Sequence, residues 1–186
     1  MLLFSCKPIW MKLRALRPEY PYHRSVIGRS LRIAPLGPEY AGEALTVQRA
    51  AYVTEAQRYA APNIPPLLET LDELRADLVR ADGPDLVARG ASLGARLAGS
   101  VRGRVSGANM EVVRLSVAPD VQGRGIGRAL LVAVHGAMPP SVVMFWLVTG
   151  SRSNDNLRFY TAAGYRTTET VVDAAGVELV RMQRPS

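Results

Sequence analysis

The glycine-rich stretch at residues 122–128 contains the residue types needed to hold a phosphate group. Glycine lets a backbone approach a ligand closely, and the start of a helix presents unpaired N–H groups and the positive end of the helix dipole. Arg124 and Arg128 add guanidinium groups, which pair well with phosphate oxygens. Because apolar residues at helical spacing follow the stretch, we predict a pyrophosphate cradle at the N-terminus of a helix.

The spacing of these glycines excludes two common phosphate-binding motifs. A dinucleotide-binding fingerprint needs a third glycine where Arg128 stands, and an acid about 20 residues further on, where Val148 and Thr149 stand. A P-loop needs Gly-Lys-Ser/Thr, which does not occur in the chain. The alternative that the glycines only form a helix-entry turn is disfavoured, because such turns rarely cluster glycines with arginines.

Two segments of the chain resemble the general N-acetyltransferase (GNAT) superfamily. Residues 122–127, Gln-Gly-Arg-Gly-Ile-Gly, match its Gln/Arg-x-x-Gly-x-Gly/Ala signature. Residues 153–165 are similar to its Asn-x-x-Ala-x-x-Leu-Tyr-x-x-x-Gly-Phe segment, although Ser153 stands where asparagine is commonest. The resemblance covers about residues 31–184 and implies a GNAT-like acyl-CoA N-acyltransferase fold with a splayed central sheet.

The resemblance implies an acetyl-CoA-dependent enzyme that acetylates a primary amine of a small molecule or protein by direct transfer. The splayed strand before the loop would offer its backbone, at Leu115 and Val117, to pantetheine and the thioester oxygen. Tyr160 takes the place of the general acid that protonates the departing CoA thiolate. The expected cofactor contacts are Leu115, Ser116, Val117, Gln122, Gly123, Arg124, Gly125, Ile126, Gly127, Arg128, Asn156 and Tyr160.

Glu111 is the expected catalytic base. It stands six residues before Val117, on the same strand face by alternation, where histone acetyltransferases of the superfamily place their catalytic glutamate. The alternative reading, a solvated glutamate at a strand end, fits equally well. Lesser candidates from the first helices are Glu69, Glu55 and Tyr52, and the acceptor itself should be set by those helices, residues 60–68 and the closing hairpin.

The pattern of apolar residues and breakers predicts the order β-α-α-β-β-β-α-β-α-β-β, an α/β fold with a mixed sheet. One helix is well signalled, because Thr70 and Glu73 form a capping box before leucines at helical spacing. The other expected elements are strands at 32–34, 86–89, 98–105, 111–117 and 142–148, helices at 39–59, after the glycine loop and at 155–163, and a hairpin around 174–176.

The positive charge is concentrated at the start of the chain. The net charge of the 186 residues is +7, yet residues 1–32 hold seven basic side chains against Glu19 as their single acid. We expect residues 1–30 to be a poorly ordered basic leader and residues 31–186 to be one acetyltransferase domain. An upstream start codon, with true initiation at Met11 or later, explains the leader equally well. Nucleic acid is therefore not the expected partner.

Composition excludes several other classes of protein. No apolar run reaches the roughly 18 residues of a membrane span, and the first ten residues lack a secretory pattern, so we expect a cytoplasmic protein. Cys6 is the single cysteine, and His23 and His135 are the two histidines, so we expect no disulfide and no metal site. Since relatives often dimerise, a homodimer stays open. The alternative function is a non-catalytic acyl-CoA-binding sensor or interaction module.

Overall fold

The computed structural model describes residues 31–186, which form seven strands in one sheet and five α-helices. The leader lies outside these residues, so its expected lack of order stays a prediction. The elements are β1 Leu31–Pro35, α1 Ala41–Tyr59, α2 Pro65–Leu68, α3 Leu71–Val79, β2 Leu86–Leu93, β3 Arg96–Ser106, β4 Asn109–Val117, α4 Ile126–Gly136, β5 Met144–Gly150, α5 Asn154–Ala162, β6 Arg166–Val172 and β7 Glu178–Pro185.

The predicted element order is confirmed with one addition, the single-turn helix α2. Pro65 and Pro66 occupy its first positions, where the missing proline N–H costs no intrahelical bond. The predicted capping box is also present, because the Thr70 hydroxyl accepts from the Glu73 amide at 3.3 Å and the Glu73 carboxylate accepts from the Thr70 amide at 2.7 Å. No helix in residues 31–186 is long and apolar enough to cross a membrane.

The sheet has the strand order β1-β2-β3-β4-β5-β7-β6, and all neighbours are antiparallel except β4 and β5. That parallel pair is short, because only residues 109–111 of β4 align with residues 144–146 of β5. Beyond Glu111 neither strand pairs with the other, and a wedge opens between them. The wedge confirms the splayed central sheet that the resemblance implied.

A β-bulge interrupts β4 at the mouth of the wedge. Ser116 pairs with Ser100 of β3 and Val113 pairs with Arg102, so β4 holds one more residue than β3 over this interval. Arg114 lies in the bulge with φ of 55°, a left-handed conformation that is rare for a residue with a side chain. The bulge therefore reverses which residues of β4 face each side of the sheet.

We call the two sides of the sheet the α4 face and the α1 face. Val117 is on the α4 face, because its side chain lies 3.7 Å from where a Cβ would stand on Gly127 of α4. Glu111 is on the α1 face, since it pairs with Arg104, whose guanidinium donates to Asp77 of α3 at 3.2 Å. The expectation that Glu111 and Val117 share a face by simple alternation is wrong, because the inserted residue shifts the pattern.

The α4 face carries the larger core, in which α4 and α5 pack on the central strands. Gly99 of β3 lets α4 approach closely, because a Cβ there would lie 2.7 Å from the Ser116 carbonyl oxygen and 3.0 Å from Leu130. The fully buried members of this core include Met110, Leu130, Val134, Phe145, Leu147, Tyr165 and Met182.

The α1 face is covered by α1 and α3 over β1 to β3. Its apolar cluster joins Leu36, Leu45, Leu74, Leu78, Ala88 and Leu97. Next to this cluster lies a charged one, centred on Arg102, whose side chain is only 2% exposed. The Arg102 guanidinium donates at 2.7 Å both to Glu69 and to Asp77, so the charge is paired although it is buried.

Candidate active site

The glycine loop opens to solvent at the start of α4. Gly123 has φ of 74° and Gly125, the N-cap of α4, has φ of 80°. Both values favour glycine, and a Cβ at either residue would meet no protein atom within 4 Å. The loop therefore has open space in front of its backbone, as the predicted cradle requires.

The helix start supplies free amide donors to this space. The Ala129 amide donates to the Gly125 carbonyl at 3.0 Å, so the amides of Ile126, Gly127 and Arg128 precede the first bond of the helix. Arg128 and Arg124 are exposed, and neither forms a salt bridge within residues 31–186. Amides, helix dipole and guanidinium groups thus all favour an anion here.

The one acid beside the loop is already neutralised. Arg96 donates two hydrogen bonds to the Asp120 carboxylate, at 2.6 and 2.8 Å. These bonds hold the pKa of Asp120 below its ordinary value. Asp120 therefore stays ionised and paired, and its charge does not cancel the attraction of the loop for a phosphate.

Gln122 fixes the loop to the end of β4. Its side-chain amide donates to the Val117 carbonyl at 3.0 Å, so that oxygen already has one donor. The main chain of Leu115 is different, because the bulge and the wedge leave it without a paired residue on either β3 or β5. Of the two expected backbone contacts, Leu115 is thus the freer one.

Tyr160 of α5 reaches the wedge from the α4 face. Its ring packs edge to face with Phe159 and Tyr165, at centroid distances of 5.0 and 5.8 Å. Burial raises the pKa of the Tyr160 phenol well above its usual value, and the nearby Tyr52 raises it further. Tyr52 belongs to α1, so this second effect comes from the helix that covers the other side of the sheet. Tyr160 therefore carries its proton at neutral pH.

Ser153 and Asn156 at the start of α5 have different surroundings. Ser153 is 0% exposed and donates a short hydrogen bond to the Glu55 carboxylate of α1. It therefore joins α5 to α1, and the departure from asparagine has a structural reason. Asn156 is half-buried, and its side chain forms no hydrogen bond to any described residue, so it is free to contact a ligand.

Gly150 at the end of β5 strengthens the same junction. A Cβ there would clash with the Tyr59 hydroxyl, so glycine gives the Tyr59 side chain its space. The Tyr59 hydroxyl accepts from the Arg152 amide at 2.6 Å, and the Arg152 guanidinium lies 4.4 Å from the Tyr59 ring centre. The end of α1 is thus fixed against the loop that leads to α5, the helix that carries Tyr160.

Glu111 lies on the α1 face, half-buried, beside the closed end of the wedge. Its carboxylate forms no hydrogen bond or salt bridge within residues 31–186. Burial raises the pKa of Glu111 above its ordinary value of 4.5, although the charges of Arg104 and Arg114 oppose this. A carboxylate with a raised pKa and no fixed partner is suited to take up a proton.

The other base candidates are already occupied. Glu69 accepts from Gln48 at 2.6 Å and from Arg102 at 2.7 Å. Burial alone would raise the pKa of Glu69, but these bonds and the nearby guanidinium charges lower it to about 2. Glu55 accepts from Ser153 and from Arg58. Glu111 is the one carboxylate among these candidates that lacks a partner.

His135 of α4 packs against the core and is neutral at neutral pH. Its Nε2 lies 2.7 Å from the Tyr165 hydroxyl, and its ring stacks on Phe145 at 4.1 Å. Burial, assisted by the charge of Arg184, lowers the pKa of His135 to about 4. Desolvation therefore outweighs the C-terminal end of the helix, which by itself favours a cation.

The segments expected to shape the acceptor pocket come together at the end of β5. Ala61 and Ile64, which follow α1, pack against Val177 of the β6–β7 turn. Beside them is an open pocket of about 360 Å³, lined also by Asn63, Arg152 and Glu178. None of the predicted catalytic residues lines this pocket. It therefore borders the site and is not its chemical centre.

Comparison with known proteins identifies the family. Residues 74–185 match a family model described as an acetyltransferase (GNAT) domain. A search of curated protein sequences gave no significant match. Within residues 31–186 no group of three or more His, Cys, Asp and Glu side chains could hold a metal ion.

Several solved structures share the fold. The PaiA N-acetyltransferase of Thermoplasma acidophilum, solved with coenzyme A, has a TM-score of 0.71 at 19% identity, covering 84% of this chain and 99% of the other. The ribosomal-protein-S18-alanine N-acetyltransferase of Escherichia coli has a TM-score of 0.67 at 16% identity, with 84% and 94% covered. The GNAT domain of the Streptomyces lividans protein PAT has a TM-score of 0.67 at 22% identity, with 84% and 90% covered. Because the family match spans the glycine loop, the wedge and the helix that carries Tyr160, the chain belongs to the GNAT acetyltransferase family.

Proposed function

We propose that this protein transfers acetyl from acetyl-CoA to a primary amine by direct attack of the amine on the thioester. One observation carries the proposal: the wedge between β4 and β5 brings an anion cradle, a free stretch of backbone, a protonated tyrosine and an unpaired carboxylate to one place. Because β4 and β5 pair only over residues 109–111 and 144–146, the cosubstrate and the acceptor would meet in the gap beyond these residues.

The glycine loop would hold the pyrophosphate of coenzyme A. The amides of Ile126, Gly127 and Arg128 precede the first hydrogen bond of α4 at the open loop. The exposed guanidinium groups of Arg124 and Arg128 add positive charge there. From the loop, the pantetheine arm would run past Asn156 into the wedge. The residues present fit this group because the space in front of Gly123 and Gly125 contains no protein atom within 4 Å of their Cβ positions.

The chemistry needs a polarised carbonyl, a neutral amine and a protonated leaving group. The Leu115 amide, at a position with no register partner on β3 or β5, would donate to the thioester oxygen, which gains negative charge as the amine attacks. Glu111 takes the proton from the ammonium, through water where the distance requires it. The new C–N bond forms as the C–S bond breaks, and the Tyr160 hydroxyl gives its proton to the thiolate. A proton leaving the new amide nitrogen then restores Tyr160 through solvent.

Thiol release tests the proposal directly. The purified protein is mixed with acetyl-CoA and a panel of amines, and free thiol is followed over time. Cys6, as the single cysteine, adds at most one thiol per chain to the background. We expect amine-dependent release over many turnovers. Tight binding of acetyl-CoA with no release for any amine would contradict the proposal and favour an acyl-CoA sensor. A cytoplasmic location and a homodimer stay predictions.

A further inference from the structure

Arg114, in the bulge of β4, has hydrogen-bonding capacity that the protein does not use. Its Nε donates to the Glu69 carboxylate at 3.3 Å, and its side chain is 21% exposed. Its two terminal nitrogens donate to no acceptor within residues 31–186. A guanidinium whose two terminal nitrogens are free can bind a carboxylate through two parallel hydrogen bonds.

The charges around Arg114 do not balance. Glu69 is already held by the shorter bonds from Gln48 and Arg102, at 2.6 and 2.7 Å. Asp77 is shared by Arg102 and Arg104, at 2.7 and 3.2 Å. Three guanidinium groups therefore share two carboxylates, and Arg114 makes the longest of these contacts, at 3.3 Å to Glu69. Arg49 adds a fourth guanidinium, which donates to the Glu69 backbone carbonyl at 3.0 Å. Glu111 is close enough for the charges of Arg104 and Arg114 to oppose the rise of its pKa.

The guanidinium of Arg181, on β7, is paired and adds no unpaired positive charge near Arg114. Arg181 of β7 stacks on Trp146, with its carbon 4.2 Å from the ring centre, and donates to Glu169 at 3.0 Å. It is thus neutralised by Glu169.

The backbone at residue 114 makes an arginine costly. A φ of 55° is strained for any residue with a Cβ, and glycine would adopt it freely. The single 3.3 Å hydrogen bond to Glu69 offsets little of that strain, because Glu69 keeps two shorter hydrogen bonds without it. A bound anion would give the Arg114 side chain the further hydrogen bonds that the protein itself does not provide.

Arg114 also lies next to the reacting centre. It precedes Leu115, whose amide is proposed to face the thioester, and neighbouring Cα atoms are about 3.8 Å apart. Burial raises the pKa of Tyr52 and the charge of Arg114 lowers it, while Tyr52 adds to the rise that burial causes in the pKa of Tyr160. The Arg114 guanidinium therefore lies on the α1 face between Glu69 and Tyr52, at the bulge that carries the proposed thioester contact.

We propose that the acceptor is a small amine that carries a carboxylate a few bonds away, with the carboxylate held by Arg114 and the ammonium directed toward Glu111. This inference rests on the proposed acetyl transfer. It places the carboxylate of a zwitterion at the two terminal nitrogens of Arg114, which donate to no acceptor within residues 31–186, and its ammonium near the Glu111 carboxylate. A polyamine would instead bring a second cation against Arg114, which the site disfavours.

Matched acceptors that differ only in the carboxylate test this proposal. The pairs are β-alanine with ethylamine, ornithine with 1,4-diaminobutane, and lysine with 1,5-diaminopentane. We expect kcat/KM from thiol release to be at least about tenfold higher for the carboxylate member of at least one pair, as a charge-assisted hydrogen bond provides. Equal or better use of every decarboxylated member would overturn the inference while leaving acetyl transfer intact.

Variants then assign the preference to Arg114. In Arg114→Gln the ratio within the preferred pair should fall toward one through a higher KM for the carboxylate member, and Arg114→Lys should keep part of it. Arg75→Gln is the matched control, because Arg75 is an exposed arginine of α3 whose one salt bridge within residues 31–186 is to Asp72. Since the ratio compares two acceptors on one preparation, any fraction of misfolded enzyme cancels.

The outcomes separate the two levels of the argument. A carboxylate preference that survives Arg114→Gln would overturn the assignment to Arg114. Turnover confined to peptides with blocked C-termini would overturn the small-acceptor class but support acetyl transfer. Absence of thiol release with every acceptor would overturn the proposed function, and this inference with it.

Discussion

The cradle can be tested by placing one carboxylate at the N-cap of α4. We expect Gly125→Glu to weaken binding of coenzyme A while the protein stays folded. The new side chain would project into the open space in front of the loop, because no protein atom lies within 4 Å of its Cβ position. It would there repel the phosphates and compete for the free amides of the helix start.

The structure sets the size of both effects. A left-handed φ of 80° at a residue with a side chain costs the folded state about 1–2 kcal/mol. For a protein of this size, such a loss lowers Tm by roughly 2–8 °C. Repulsion between unit charges about 4 Å apart is about 1 kcal/mol in water and about 4 kcal/mol near a protein surface. Binding should therefore weaken by about fivefold to about a thousandfold.

The glycine at residue 107 provides a matched control. Gly107 has φ of 58°, is exposed, and would also present its Cβ to open space, but it lies in the turn between β3 and β4. Gly107→Glu should lose the same stability in thermal melts and keep its coenzyme A affinity in calorimetry. If the two variants bind coenzyme A equally well, the assignment of the phosphate site to this loop is refuted.

Three further substitutions test the remaining groups. Tyr160→Phe should lower kcat roughly a hundredfold or more with coenzyme A affinity unchanged, and an unaffected kcat would remove Tyr160 as the acid. Glu111 must be ionised to accept a proton, so kcat/KM should fall as pH drops through a pKa above 4.5, and that limb should vanish in Glu111→Gln, whereas its persistence would point to another base. Because the folded pKa of Glu69 is about 2 against an ordinary 4.5, its ionisation adds about 3 kcal/mol of stability at neutral pH, lost as pH falls from about 4.5 to about 2. Glu69→Gln should flatten the acid dependence of urea unfolding, and an unchanged dependence would contradict this role.

Local patterns made the loop and most elements predictable from the sequence. Glycines at residues 123 and 125 mark backbone conformations that other residues avoid, and both have positive φ. The capping box at Thr70 likewise needs only residues within one turn, and it formed as expected. These features depend on neighbours in the chain, so a single sequence contains the information that determines them.

The bulge in β4 could not be predicted in the same way. Its strained residue is Arg114, whereas glycine is the usual signal for a left-handed backbone. Strict alternation therefore placed Glu111 and Val117 on one face, and the inserted residue puts them on opposite faces. Only the pairing with β3, which is set by tertiary structure, shows the shift.

Buried polar contacts were missed for a related reason. Arg102 is 2% exposed, although an arginine in a strand usually suggests a solvent-facing position. Its burial is explained only by its partners Glu69 and Asp77, which are distant in sequence. Ser153 similarly looked like a weak match to a binding motif, and its link to Glu55 spans 98 positions of the chain. Charge balance across distant segments is not visible in local patterns.

The short pairing between β4 and β5 has a consequence for which property a core substitution would affect first. Few backbone hydrogen bonds join the two halves of the sheet, so α4 holds them together: it packs on β3 and β4, while His135 stacks on Phe145 of β5. A substitution that leaves a cavity beneath α4 would let one half of the sheet move relative to the other. Alignment of the reacting groups would then fail before the fold does, although no residue in the cleft had been altered.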